Sequence, residues 1–449
     1  MASDQAATAG SAGAEPPDEP PGGALTNRDF VKLFAGESVS LIGSQITLFT
    51  MPLIAVLTLR APVFEVGVLN ALRFAPVIVV AVFAGVLLDR TRRRPVLIAC
   101  SASSAILIGL VPLASVTGHL SIGLLYLVSA LMAGLSCVFD VGVLSYVPNL
   151  VEPRHLPEAN GKIQAVRAFA GISGPAIAGL LIGLIGAPVT LSADAVSYLF
   201  SVGGVVSIRK PEEAPQVPEV RTSVWRQIAE GFHAVYGSKL VRSMLTQAAT
   251  LNLAFFSFMT IFVVYAIRTL HLTPFKLGLV FGSIAVGGLV GSLVTGQARE
   301  KLGLGSSLLY TTVSCSLAPL ALLIPRNAGL ASMAIMMVAE FVYGGSIASL
   351  NVNWITLRQV VTPRRVLARM NATYRMLIFG VPPLGALIGG ALGTVLGLRP
   401  AMLISLIAMT APILWIFFSP VFRLKELPAQ ADENLGTLGK KDEEMDKVQ

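Results

Sequence analysis

Residues 95–118, PVLIACSASSAILIGLVPLASVTG, and 168–193, AFAGISGPAIAGLLIGLIGAPVTLSA, contain no charged side chain. Each exceeds the roughly 20 apolar residues that take an α-helix across a hydrocarbon core. Inside lipid every backbone polar group must be paired within its own segment, so the runs are read as membrane-spanning helices. Composition agrees: 54% of the 449 residues are hydrophobic and 13% are charged, against about 25% charged in an ordinary soluble domain. Counting comparable runs predicts an all-α membrane protein of twelve spans, roughly 28–59, 64–88, 94–117, 120–148, 160–186, 188–208, 239–268, 274–298, 305–325, 328–360, 366–397 and 400–421.

The formal net charge of +8 does not point to nucleic acid, because the basic residues cluster in short loops between spans and not on one polar face. Loops 2–3 (Arg90 to Arg94), 4–5 (Arg154, Lys162), 6–7 (Arg209, Lys210, Arg221, Arg226), 8–9 (Arg299, Lys301) and 10–11 (Arg358, Arg364, Arg365, Arg369) are basic, and the alternate loops are nearly bare. The positive-inside rule places the basic loops and both termini in the cytoplasm of a multi-pass plasma-membrane protein. Residues 1–26 have no basic start followed by an apolar core, so a disordered tail is expected there and not a signal peptide. A second tail is expected over 422–449. Between the sixth and seventh spans, 209–238 is expected to be a cytoplasmic linker. Its later part places Trp225, Ile228, Phe232 and Val235 at helical spacing, as in a helix lying on a membrane surface.

A shift of 211 positions lays Gly85 on Gly296, Asp89 on Glu300, Arg90 on Lys301, Asn160 on Asn371, Gly174 on Gly385, Gly179 on Gly390 and Gly186 on Gly397. The loop pieces LVEPR (150–154) and VVTPR (360–364) align one position away from that shift. The chain therefore reads as two copies of a six-span unit, 27–208 and 239–421. Two such bundles in parallel orientation, joined by a long loop, is the organisation of major facilitator transporters.

Between the second and third spans the sequence runs GVLLDRTRRRPV. Gly85 lets its helix approach a neighbour closely. Asp89, one turn on, lies on the same face at the membrane edge, where a facing helix N-terminus and nearby Arg stabilise an anion. Gly85, Leu87, Asp89, Arg90, Arg93 and Arg94 resemble the G-x-L-x-D-R-x-G-R-R signature of the major facilitator superfamily, with Arg92 standing where the family usually has Gly. The resemblance implies that this loop meets the eleventh helix, beginning near Val366, and holds the cytoplasmic side shut. Glu300 and Lys301 form the weaker counterpart in the second half.

In the fifth span, Gly161, Gly174, Pro175 and Gly179 resemble the Gly-Pro pattern of proton-coupled drug exporters, with Ala170 and Ala178 in place of two glycines. Small residues there allow spans 5 and 8 to pack closely, and Pro175 permits a bend. NRDFVKLFAGESVSLIGSQIT, LNALRFAPVIV, LPEANG and DAVSY (194–198) resemble the enterobactin-exporter-like and macrolide-efflux branch. That resemblance implies efflux of a small lipophilic or amphipathic molecule, with import or uniport as the alternative.

Charges inside spans are expensive and are functional candidates by default. Glu37 lies about 13 Å into the first span at 1.5 Å per residue, and Glu340 lies deeper in the tenth; either can carry a coupling proton. Asp140 either couples to protons or is neutralised by Arg167, which falls at a similar depth. Asp194, near the outer start of its span, is expected to cap or pack. Arg73 meets an anionic substrate or pairs with Glu37 or Glu340. Aromatic and amide residues on spans 7 and 10, among them Asn252, Phe255, Phe256, Asn351 and Trp354, suit the wall of a cavity for a partly polar, lipophilic ligand.

No G-x-x-x-x-G-K-S/T loop cradles a nucleotide phosphate. His119, His155, His233 and His271 are scattered, and Cys100, Cys137 and Cys315 lie in apolar runs without metal-like spacing. The expected protein is a monomeric secondary transporter with a small-molecule substrate, protons and lipid as its partners, and with neither metal nor cofactor.

Overall fold

The computed structural model describes residues 23–212 and 224–418. Residues 1–22 and 419–449, which include most of the two expected tails, lie outside the described residues, as do 213–223 of the linker. Fifteen α-helices follow in order: α1 Arg28–Leu53, α2 Val63–Leu72, α3 Ala75–Arg90, α4 Arg93–Val116, α5 Ile122–Leu150, α6 Leu156–Ile185, α7 Ala187–Val206, α8 Val224–Gly237, α9 Lys239–Arg268, α10 Pro274–Leu302, α11 Leu304–Leu317, α12 Leu330–Val361, α13 Arg364–Leu396, α14 Leu398–Ala408 and α15 Ala411–Phe418. Among the described residues there is no strand. Among the described residues, twelve segments are long and apolar enough to cross a membrane.

Two of the predicted spans are interrupted. The second divides into α2 and α3 at Arg73–Phe74, and the twelfth into α14 and α15 at Met409–Thr410. The breaks precede Pro76 and Pro412, each in the first turn of the new helix, where a residue lacking an N–H costs no hydrogen bond. Residues 23–26, expected to belong to a disordered tail, form a short 3₁₀ turn over Ala24–Thr26. The Ala24 N–H donates to Glu158 on α6, 2.8 Å away.

The internal repeat extends to backbone detail. Asn27 and Ser238, 211 positions apart, both cap the first helix of their half by accepting N–H groups of the first turn. Arg60 and His271, again 211 apart, are the non-glycine residues with positive φ among the described residues, at 52° and 54°. Around them the hydrogen bonds match: Ala61 N–H to Ala55 O at 2.8 Å, and Leu272 N–H to Ala266 O at 2.9 Å. Gly186 and Gly397 precede α7 and α14 with φ of 83° and 82°, a region that L side chains rarely adopt.

Two seams join the halves, and the repeat relates them. In one, α2 packs on α13: a Cβ at Gly67 would lie 2.6 Å from Ala386 O, and one at Gly390 would lie 3.1 Å from Phe64 Cα. In the other, α10 packs on α6: a Cβ at Gly278 would overlap Pro175 O, and one at Gly179 would lie 2.7 Å from Phe275 Cα. Lipid is as apolar as leucine, so close backbone approach through small residues is what holds such helices together. Both seams lie towards the end where the loops are bare, and there Arg268 of α9 also donates to Ala61 O at 2.7 Å. Towards the basic end, a Cβ at Gly85 of α3 or at Gly296 of α10 would have nothing within 4 Å. The close seams between the halves lie at one end of the membrane, and neither of these glycines at the other end has a neighbour to meet.

Helix α8 is the described later part of the linker and packs against α13 and α9. Val235 is fully buried, so part of the face expected to rest on lipid is taken up by protein. The Trp225 and Ile228 side chains lie outside the described residues.

Candidate functional site: a cavity between the halves

A cavity of about 780 Å³ lies between the seams and the basic end. Its walls come from α1 (Ser44, Thr47, Met51), the α2–α3 break (Asn70, Arg73, Phe74), α5 (Met132, Ser136, Cys137, Asp140), α7 (Asp194, Tyr198) and α13 (Arg369, Thr373, Arg375, Met376, Phe379). The broken second span matters here. With the helix interrupted at Arg73–Phe74, both side chains turn to the cavity at the level where the halves come together.

Of the charges singled out in the spans, Arg73, Asp140 and Asp194 line this cavity and Glu37 and Glu340 do not. Asp140 accepts from Arg167 at 2.8 Å in a partly exposed pair. Asp194 is not a helix cap: it lies within α7, fully buried. It accepts from Thr47 of α1 and from Ser197 at 2.8 Å. One helical turn along, Ser44 and Tyr198 hydroxyls are 3.1 Å apart, so α1 and α7 are joined by a polar strip at the cavity's edge.

Glu37 is 5% and Glu340 1% exposed. Glu37 Oε2 and both carboxylate oxygens of Glu340 have no hydrogen-bond partner. Unpartnered buried carboxylates destabilise a fold by several kcal/mol when ionised. One such carboxylate lies in each half.

The expected aromatic and amide wall is placed behind the cavity and not on it. Phe256 stands edge-on to Phe74 at 5.0 Å, Phe255 follows at 5.4 Å, and Tyr343 stacks on Phe255 at 4.8 Å. These rings support Phe74, which does face the cavity. Asn252 donates to Ala248 O within its own helix at 2.8 Å, Asn351 is exposed away from the cavity, and Trp354 is buried. The second half contributes α13 instead. Arg375 had the same sequence signal as Glu37, a charge well inside an apolar span, and was missed. Cys137 is half-exposed on the cavity wall, whereas Cys100 and Cys315 are buried.

In the charged loop, Glu212 of the linker accepts the N–H groups of Arg93 and Arg94 at 2.6 and 3.1 Å. The Arg94 guanidinium donates to Val205 O and Val206 O at the C-terminus of α7, at 3.2 and 2.8 Å, where a cation is favoured by the helix dipole. Arg94 is thus held within its own half in this conformation. Arg90, Glu300 and Lys301 are exposed, and the Asp89 side chain lies outside the described residues. In the packing motif, Gly179 and Pro175 meet α10, Gly174 faces Gln45 of α1, and Gly161 has no close neighbour.

Among the described residues no group of His, Cys, Asp and Glu is arranged to hold a metal ion. Residues 33–386 match the sequence profile of the Major Facilitator Superfamily. The chain belongs to this family of membrane transporters. It is 24% identical over 420 residues to the multidrug efflux pump Tap of Mycobacterium tuberculosis, covering 90% of this chain and 96% of that one. It is 23% identical over 381 residues to the enterobactin exporter EntS of Citrobacter koseri, covering 83% of this chain and 86% of that one. Among solved structures, a bacterial homologue of the iron transporter ferroportin in an inward-facing state superposes with a TM-score of 0.70 at 17% identity, covering 87% of this chain and 98% of that one.

Proposed function

We propose that this major facilitator transporter is a proton-coupled exporter of a small lipophilic or amphipathic molecule, working by alternating access with its basic loops in the cytoplasm. The observation that carries the reading is the cavity between two bundles, 27–208 and 239–421, that meet through paired seams at one end and part at the other. Rocking about such a cavity exposes it to each side in turn. With the basic end in the cytoplasm, the conformation seen here opens inward. Efflux is supported by the names of Tap and EntS, and proton coupling by the unpartnered carboxylates of Glu37 and Glu340.

Inside-out vesicles given an acidic interior and a panel of amphipathic dyes are expected to concentrate a subset of them, and a protonophore should abolish the accumulation. Equilibration without concentration would make the protein a uniporter, and accumulation only in right-side-out vesicles would make it an importer. The charged loop closes the cytoplasmic side in the alternate state, where Gly85 and Gly296 gain neighbours. Asp89→Asn is therefore expected to insert and fold normally but to lower initial efflux about tenfold or more at equal expression. Unchanged efflux would remove the gate role.

A further inference from the structure

The charges on the cavity wall are unevenly answered. Both acids are satisfied within the protein: Asp140 by Arg167 at 2.8 Å, and the fully buried Asp194 by the hydroxyls of Thr47 and Ser197. Two of the cations are not. Arg73, half-buried at the α2–α3 break, has as its contact the ring of Phe74, 5.2 Å from its guanidinium carbon. Arg375, exposed to the cavity from α13, lies 5.8 Å over Phe379. Neither has a hydrogen bond or an ion pair to any described residue. Each guanidinium offers five N–H donors in a planar fork that fits the oxygens of a carboxylate or a sulfonate. The neighbouring Phe rings and Met51, Met132 and Met376 supply the apolar part of the wall.

We propose that the cavity binds an amphipathic aromatic anion, a carboxylate or a sulfonate, with its charge shared between Arg73 and Arg375 and its ring system among the Phe and Met side chains. The proposal rests on reading the cavity as the transport site. Its volume of about 780 Å³ falls in the range of small-molecule pockets, about 300–1,000 Å³. Arg73 belongs to the first half and Arg375 to the second. As the halves close on the basic side, two like charges enter a shrinking, drier space and repel. An anion between them reverses the sign of that interaction, so the ligand itself favours closure. A lipophilic cation would add to the repulsion.

The test uses the full-length protein in lipid nanodiscs and three probes sharing one fluorophore: dansylate, the neutral dansylamide, and the cationic dansylcadaverine. Binding is measured by equilibrium dialysis with empty nanodiscs subtracted. Dansylate is expected to bind about tenfold more tightly than dansylamide, which corresponds to about 1.4 kcal/mol. Arg73→Gln and Arg375→Gln are each expected to weaken dansylate about tenfold while leaving dansylamide within about twofold, and Arg375→Lys should recover most of the loss. Retained dansylamide binding reports that a variant is folded, and Arg375, being exposed, is the position least able to disturb the core. Equal affinity for dansylate and dansylamide, tightest binding of dansylcadaverine, binding of all probes at the empty-nanodisc level, or loss of every probe in Arg375→Gln would each overturn the proposal. The measurement needs no gradient and no turnover. The charge preference can therefore fail while vesicle export succeeds, and the reverse.

Discussion

Gly278→Val is expected to insert and fold but to transport about ten- to a hundredfold more slowly than the wild type. A Cβ at this position would overlap Pro175 O and come within 2.8 Å of its carbonyl carbon and 3.2 Å of Ala176 Cα. Those atoms are backbone and cannot swing aside, so α10 and α6 must separate. Overpacking of this kind costs about 1–3 kcal/mol, and each 1.4 kcal/mol changes a two-state ratio tenfold. The cost falls only on conformations in which this seam is closed. The variant should therefore desert the conformation seen here for the one open at the opposite end. In a background without native cysteines, a single Cys at Val63, which is 7% exposed and packed beside Gly393, should then label faster. One at Asn160, exposed near the basic end, should label more slowly. Gly183→Val on the same α6 is the control, because a Cβ there would meet nothing within 4 Å. Normal transport by Gly278→Val, or equal gains in labelling at both cysteines, would refute the seam as a moving contact.

The sequence marks where helices cross the membrane, because length and the absence of charge suffice for that. It also marks the repeat, since residues such as Gly186 and Gly397 recur where the backbone needs positive φ. It does not mark which face of each span looks inward. In water the buried face is apolar and the exposed face polar, but in lipid both are apolar, so Phe255 and Phe256 read the same whether they line a cavity, support Phe74 or touch acyl chains. The helix breaks were half legible. Pro76 and Pro412 follow breaks and stand in the first turn of a new helix, whereas Pro382 and Pro383 sit inside an unbroken α13. What separates them is tertiary packing, which a single sequence does not display. Polar exceptions are the dependable signal, and Arg73, Asp140, Arg375 and Asp194, all charges within spans, lie together on the cavity wall.

The same reasoning makes the second large effect one of coupling without loss of fold. Glu340 is 1% exposed with both oxygens unpartnered, and Glu37 is 5% exposed with one. A glutamine has nearly the same shape and cannot ionise, so it removes the cost of a buried charge while leaving the volume filled. Glu37→Gln and Glu340→Gln are thus expected to melt at or above the wild-type temperature. A residue that served only packing would show no more than this. A proton carrier shows a second effect: a neutral amide cannot release the proton that completes the cycle, so uphill, pH-driven efflux should be abolished in the variant of whichever carboxylate carries it. Downhill exchange of substrate should continue at a rate close to that of the wild type, because the cavity itself, built by α1, α2, α3, α5, α7 and α13, is untouched. The measurement is paired, with uphill accumulation and downhill exchange in the same inside-out vesicles. Uphill transport surviving in both single variants and in the double variant would move the proton to the remaining cavity carboxylates, Asp140 beside Arg167 and Asp194 between its hydroxyls, or leave the cycle uncoupled.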